Sequence, residues 1–284
     1  MQEKILYERI GSTFFQAGKY NYELIIGEEY TFYISTSPSG QRVNVTSSNT
    51  NIAAIAESDG YTSATIIAKV AGTANINVTF GTYTISCIVT VYDVFSQDGV
   101  TINGVTWATR NVDAPGTFAA KATDRGMDYQ WNRRIGWSYG TIESRTSSPT
   151  GHSWDNTIPT GISWEAANDP SPTGWRVPTL EELQKLRNTG YTEAIINGIL
   201  GCKFGNGNNT IFLPSTRPQA IVNTIIGYIR QGEAGNYWSA TESGSSNAYY
   251  LTFSFAWDTE KMYQIYNPPA STRSAPYPIR SVKK

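Results

Sequence analysis

From Tyr20 to Tyr92 apolar and polar residues alternate in short runs separated by turn-forming residues. Tyr30-Thr31-Phe32-Tyr33-Ile34-Ser35 is closed by Ser37-Pro38-Ser39-Gly40. The runs Val43–Thr46, Ala64–Ala68, Ala74–Phe80 and Tyr83–Val91 follow. Successive side chains of a strand point to opposite faces, so a period of two places one face in a core and the other in water. Short strands at a spacing of roughly 8–12 residues, with Gly or Pro between them, predict an all-β sandwich. Gly81-Thr82 reads as a two-residue hairpin loop. Cys87 alternates with Ile85 and Val89 and is expected on the core face.

The pattern changes after Asp93–Gly99, where loops dominate and tryptophan appears. All eight tryptophans lie at or after Trp107. One helix is clearly marked: Thr179-Leu180-Glu181-Glu182 is a capping box behind Pro178. Leu180, Leu183 and Leu186 share a face, Lys185 and Arg187 suit the negative end of the dipole, and Gly190 ends the element. A weaker helix is expected over Thr192–Leu200. Gly201–Gly207, with Phe204 and several asparagines, reads as a turn and not as a phosphate cradle. The predicted organisation is therefore residues 1–94, a sandwich with an N-terminal extension, and residues 95–284, an α+β module.

Composition narrows the function classes. Net charge is −1 over 284 residues, and no basic stripe or arginine-rich arm occurs, which argues against nucleic acid as a partner. No run of 18 apolar residues exists, so no membrane insertion is expected. Met1–Glu8 has neither the apolar run nor the cleavage site of a signal peptide. Export without a cleaved signal, or an upstream leader not in this sequence, are the two alternatives. Cys87 and Cys202 are too few and too far apart for a disulfide framework, and the single His152 has no partner at metal-ligand spacing. The corresponding expectation is that the chain holds no metal and no cofactor.

Two resemblances add to this reading. Ile26-Gly27-Glu28, Thr46-Ser47-Ser48-Asn49, Ala68–Ile76 and Cys87–Val91 resemble the bacterial immunoglobulin-like group 2 family over roughly residues 20 to 93. Such domains act as stalks and spacers. Residues 105 to 284 resemble the Fibrobacter succinogenes major paralogous domain, which implies a C-type-lectin-like fold. The strings that carry it are Val105–Val112, Tyr129–Asn132, Asn168–Thr179, Phe212–Ser215, Gly235–Thr241, Ala248–Leu251 and Ile279–Val282. The implied fold class is an all-β Ig-like sandwich followed by an α+β C-type-lectin-like domain. One departure stands out: family members often carry cysteine where this chain has Ser171, and no second cysteine here has a matching role. Trp107, Trp131, Trp175 and Trp238 recur among Gly, Pro and Asn, as expected of rings that anchor long loops.

The sequence offers no familiar catalytic constellation. Calcium-dependent sugar binding in this fold uses Glu-Pro-Asn or Gln-Pro-Asp loops, which the chain lacks. A formylglycine-generating activity would use a cysteine pair, and one histidine cannot build a Ser-His-Asp set. Glu181 and Glu182 are accounted for by the helix start. The expectation is that the chain is not an enzyme.

Two stretches depart from the family's rhythm. Ile221–Arg230 is strongly apolar where relatives carry a polar loop, and Thr252–Tyr266 is rich in aromatic residues. Both are flanked by scaffold strings. That arrangement resembles the variable proteins of diversity-generating retroelements, which are rewritten at selected positions of a fixed C-type-lectin-like scaffold. The candidate ligand-binding residues are Ile221, Val222, Ile225, Ile226, Tyr228, Phe255, Trp257, Tyr263, Ile265, Tyr266 and Tyr277. Aromatic side chains bury large area at low rotamer cost and make good contact residues. The expected function is a receptor-binding adhesin with a hypervariable C-terminal surface, localised to a virion as a phage tail protein. Its partner would be a cell-surface protein or glycan on a target bacterium, met with avidity by a homo-oligomer on the virion. A bacterial surface or fimbrial-tip adhesin, extracellular or on the cell surface, is the alternative. A carbohydrate-active enzyme with paired carboxylates is a third reading.

Overall fold

The computed structural model describes residues 5–10, 13–138, 151–216, 220–224, 227–231, 234–255 and 269–284. The chain is mostly β-sheet, with one α-helix among the described residues. No described helix is long and apolar enough to cross a membrane. Two compact units are formed. The first holds Met1–Val94 together with Ala194–Gly198 and Asn206–Asn208, and the second holds the remainder.

The first unit begins with β1 (Ile5–Ile10), β2 (Thr13–Lys19), β3 (Asn21–Ile25) and β4 (Glu28–Ser37). It continues through β5 (Asn44–Ser47), β6 (Ala53–Ser58), β7 (Ser63–Ala68), β8 (Gly72–Phe80) and β9 (Tyr83–Tyr92). One sheet runs β3-β9-β8-β5, with β3 parallel to β9. The facing sheet is built on β4, which pairs with β7 over Glu29–Tyr33 and with β2 over Ile34–Ser37. Alternation fixes which face is buried. Ala74, Ile76 and Val78 of β8 lie opposite Val89, Cys87 and Ile85 of β9, and all six are in the core with Phe32, Ile34 and Ile66. Gly81 adopts a left-handed φ of 60° in the two-residue turn between Phe80 and Tyr83. Buried Glu28 closes the β3–β4 turn by accepting from the Ile25 amide at 2.9 Å.

The second unit opens with β10 (Gly99–Ile102), β11 (Val105–Ala108), β12 (Asp128–Tyr129), β13 (Gly136–Trp137) and β14 (Trp175–Arg176). Helix α1 (Leu180–Arg187) follows, started by the capping box of Thr179 and Glu182. Glu182 also takes a bidentate bond from Arg176, at 2.8 and 2.6 Å. Then come β15 (Tyr191–Ile196), β16 (Ile199–Asn206), β17 (Asn209–Pro214), β18 (Ala220–Thr224) and β19 (Gly227–Gln231). The chain closes with β20 (Ala234–Ser243), β21 (Asn247–Ser254), β22 (Ala270–Thr272) and β23 (Val282–Lys283). Strand β23 lies between β11 and β14, so the two ends of this unit share one sheet.

The expected second helix over Thr192–Leu200 is replaced by the β15–β16 hairpin. Asn197 and Gly198 hold left-handed φ values of 50° and 78°, the geometry of a type I′ turn, which matches strand twist and ends any helix. Gly201–Gly207 likewise is strand up to Asn206, and only Gly207-Asn208 forms the turn into β17.

Two apolar clusters fill the second unit. One gathers Trp107, Leu183, Leu186, Cys202, Phe204, Leu213, Tyr237 and Phe253; the other gathers Tyr129, Trp131, Trp164, Trp238 and Ile279. Trp107, Trp131 and Trp238 are fully buried, whereas Trp175 is half-buried with its ring edge-on to Phe118. Trp131 donates to the Ser239 carbonyl at 3.0 Å and Trp238 to the Tyr129 carbonyl at 2.8 Å. A buried arginine also stitches the loops. Arg280, fully buried, donates to Asn111 Oδ1, Ala108 O and Phe212 O at 2.8, 3.1 and 2.9 Å. Ser281 and Ser171 hydroxyls, both buried, meet at 2.7 Å.

Candidate functional site

The antiparallel β20–β21 ladder organises the region that the sequence singles out. Ala234, the first residue of β20, lies opposite Ser254, the last of β21. The chain therefore enters the ladder from β19 and leaves it toward residues 256–268 at the same end. Strand β17 is held there too: Thr216, two residues past it, donates its amide to the Ala234 carbonyl at 2.8 Å. Both atypical stretches thus start from one end of one ladder, through Thr216, Ala234 and Ser254.

Packing makes that end firm. A Cβ on Gly235 would fall 2.0 Å from the Phe253 ring, so only glycine lets that ring lie across β20. Tyr237 and Phe253 stack at 6.3 Å, and the Tyr237 hydroxyl donates to the Pro214 carbonyl at 2.7 Å. Burial pushes the Tyr237 phenol well above its ordinary pKa. Three polar side chains are built into the same place. The Asn236 amide donates to Thr216 Oγ1 at 2.9 Å, and the Thr252 hydroxyl donates to Asn236 Oδ1 at 2.7 Å. Thr216 and Asn236 are 2% and 4% exposed, so the bond between them is shielded from water, while Thr252 is half-buried.

The structure locates the sequence-predicted residues unevenly. Ile221, Val222 and Tyr228 belong to the β18–β19 hairpin, with Ile221 opposite Arg230, Val222 opposite Ile229 and Tyr228 opposite Asn223. Ile225, Ile226, Trp257, Tyr263, Ile265 and Tyr266 lie outside the described residues. Phe255 is half-buried and sets its ring edge-on to Phe253 at 5.6 Å, so part of it serves the core. Tyr277 is more committed to the framework. Its backbone exchanges two hydrogen bonds with Tyr129, at 2.8 and 3.1 Å. Its half-buried ring packs on Trp238 and Tyr250 at 4.6 and 4.9 Å, and its hydroxyl donates to Ser271 at 3.1 Å. Sequence reasoning passed over Thr216, Asn236 and Thr252. The only trace of them was that Asn236 sits inside the Gly235–Thr241 string.

No protein-family model matches the chain, and no curated protein sequence is similar to it. Among solved structures, similarity was found to domains 4 and 5 of the S-layer protein SbsC, at 19% identity and a TM-score of 0.26. That overlap covers 31% of this chain and 53% of the other, so the chain matches only about half the length of that structure. Domains 5–6 of SbsC overlap 98% of each chain, at 13% identity and a TM-score of 0.28. Superpositions at that level establish no shared fold.

Elsewhere, the first unit carries a groove of about 750 Å³ lined by Arg42, Asn44, Asp59, Tyr61 and Thr79. Asp59 is occupied by its own loop: it accepts the Tyr61, Thr62 and Ser63 amides at 2.7, 2.7 and 3.0 Å. A hydrogen bond from the Thr62 side chain, with those amides, lowers its pKa strongly. That carboxylate is a turn-former. No group of three or more His, Cys, Asp or Glu among the described residues is placed to hold a metal ion.

Proposed function

We propose that this chain is a non-catalytic receptor-binding adhesin of a phage tail or virion. Residues 1–94 would be an Ig-like spacer, and residues 95–284 a C-type-lectin-like module whose C-terminal stretches vary while the framework stays fixed. The observation that carries this reading is the common origin of both atypical stretches at Thr216, Ala234 and Ser254. A binding surface needs its variable parts adjacent, and a framework that tolerates their variation must be held by other residues. The tryptophan and arginine bonds of the second unit supply such a framework. The partner would be a protein or glycan on the surface of a target bacterium, bound through aromatic contacts with avidity from several copies.

The test is binding of the purified chain to a panel of gut bacterial strains, compared with Trp257→Ala and Tyr266→Ala. Each variant is expected to lose about 2 kcal/mol of affinity, roughly thirtyfold, as hot spots do. Stability should move by no more than about 0.5 kcal/mol, as for surface changes. Unchanged binding by both variants would refute the assignment of the surface. A reverse-transcriptase gene beside this one, with a near-copy of its 3′ end, is expected on the same reading.

A further inference from the structure

We infer that Thr216 and Asn236, both buried, and the half-buried Thr252 form a clamp that ties the roots of the two atypical stretches together, so that the stretches act as one surface. This rests on the proposed function only in calling that surface a binding surface; the clamp itself is a matter of geometry. Asn236 is the centre. Its backbone amide holds Thr216, which leads into the β18–β19 hairpin, and its side-chain oxygen holds Thr252, which leads into residues 255–268. Thr216 is bound twice more to β20, through its amide and hydroxyl to the Ala234 carbonyl at 2.8 and 3.3 Å.

Each of these bonds is one a bare ladder would lack. Backbone pairing of β20 with β21 positions Ser254 against Ala234, and the end of β17 is joined to β20 by the Thr216 amide on Ala234 and the Tyr237 hydroxyl on Pro214. The Thr216 hydroxyl adds to that attachment by accepting the Asn236 amide and donating to the Ala234 carbonyl. The hairpin needs such an anchor. Strands β18 and β19 pair with each other and with no other described strand, and an isolated two-stranded ladder is marginal in water. Asn236, Thr216 and Thr252 act through other residues and are positioning residues, not contact residues.

The clamp predicts coupling at a distance, read by hydrogen exchange on the full chain. Asn236→Ala and Thr252→Val each break the Asn236–Thr252 bond while the Asn236 backbone amide can still hold Thr216; the second keeps side-chain shape and exchanges the hydroxyl for a methyl. Thr252→Val is expected to speed exchange about tenfold in peptides spanning 217–233, although Thr252 belongs to the other stretch. Peptides of β8–β9 and α1 should be unchanged, and Thr252→Ser should restore the wild-type rate. Faster exchange confined to β21, or equal acceleration throughout the second unit in both Asn236→Ala and Thr252→Val, overturns the clamp. Binding to bacterial cells, measured on the same proteins, separates the two ideas. Coupled exchange with unaltered binding in Trp257→Ala leaves the clamp standing and sinks the binding surface. Uncoupled exchange with binding lost in Trp257→Ala does the reverse.

Discussion

Arg273 offers the sharpest test of how the second unit is held together. Its guanidinium has five N–H groups, and all five are used. Nε donates to Asn247 O at 3.2 Å, Nη1 to Pro159 O and Gly161 O at 3.0 and 2.9 Å, and Nη2 to Glu242 Oε2 and Gly244 O at 2.9 and 2.7 Å. The cation also lies 4.2 Å from the centre of the Trp131 ring. Arg273 is 1% exposed, so truncation to Ala leaves four carbonyls without their donor in a site water enters poorly. Glu242 is more than a third exposed and can be rehydrated, so the cost comes from the carbonyls left unpaired, at about 1–3 kcal/mol for each one water does not reach, and from the lost ring contact; the expected total is about 4 kcal/mol. With a urea slope of about 2 kcal/mol per molar, the midpoint should fall by about 2 M. Arg273→Lys should recover about half, because three donors on a point charge cannot span the fork. Tryptophan fluorescence is the assay, since every tryptophan lies in residues 107–257 and the signal is blind to the sandwich. Pulsed alkylation gives the control: Cys202 should become reactive along with the fluorescence change, and Cys87 should keep its wild-type midpoint. A shift below about 0.5 M, or a parallel shift at Cys87, would refute the reasoning.

Three further outcomes are expected. A Ser171→Cys, Ser281→Cys pair should oxidise to a bridge, because the native hydroxyls meet at 2.7 Å; closing a loop of 110 residues should raise stability by up to about 4–5 kcal/mol. Mass spectrometry finding two free thiols at those positions in the oxidised protein would count against it. Asp128 is fully buried beside Arg125, and burial pushes its carboxyl up to about 6 from 3.8. A raised folded-state pKa means the native state holds the proton more tightly. The stability from this proton is full below about pH 4, falls as pH rises through 6, and amounts to at most about 3 kcal/mol. In Asp128→Asn the fall between pH 4 and 6 should vanish; the same slope in both proteins would show that Asp128 is not its source. Finally, both thiols should resist alkylation while folded, since burial raises Cys87 to about 11 and Cys202 well above its ordinary value. Rapid labelling of either in the native protein would contradict that burial.

Local patterns carried much of the fold. The alternation Ile85, Cys87, Val89, Val91 faces the sandwich core as read, because a period of two leaves only one face to bury. Thr179 and Glu182 make their capping box because both partners sit three residues apart. The hairpin in place of the helix expected over Thr192–Leu200 is also local in origin: Asn197-Gly198 is a strong hairpin signal that turns the chain back. Other features depended on partners far along the chain. Arg280 lies in the Ile279–Val282 string, but its burial depends on Asn111, 169 residues away, and Phe212, which supply its acceptors. Tyr277 reads as a contact residue, yet Trp238 and Tyr250 draw its ring into packing. The sequence alone marked two unusual stretches; that both begin at Thr216, Ala234 and Ser254 follows from strand register and from the hydrogen bonds of Asn236. Periodicity reports which side of an element is apolar, but register and long-range hydrogen bonds decide what that side meets, and those are properties of the folded chain.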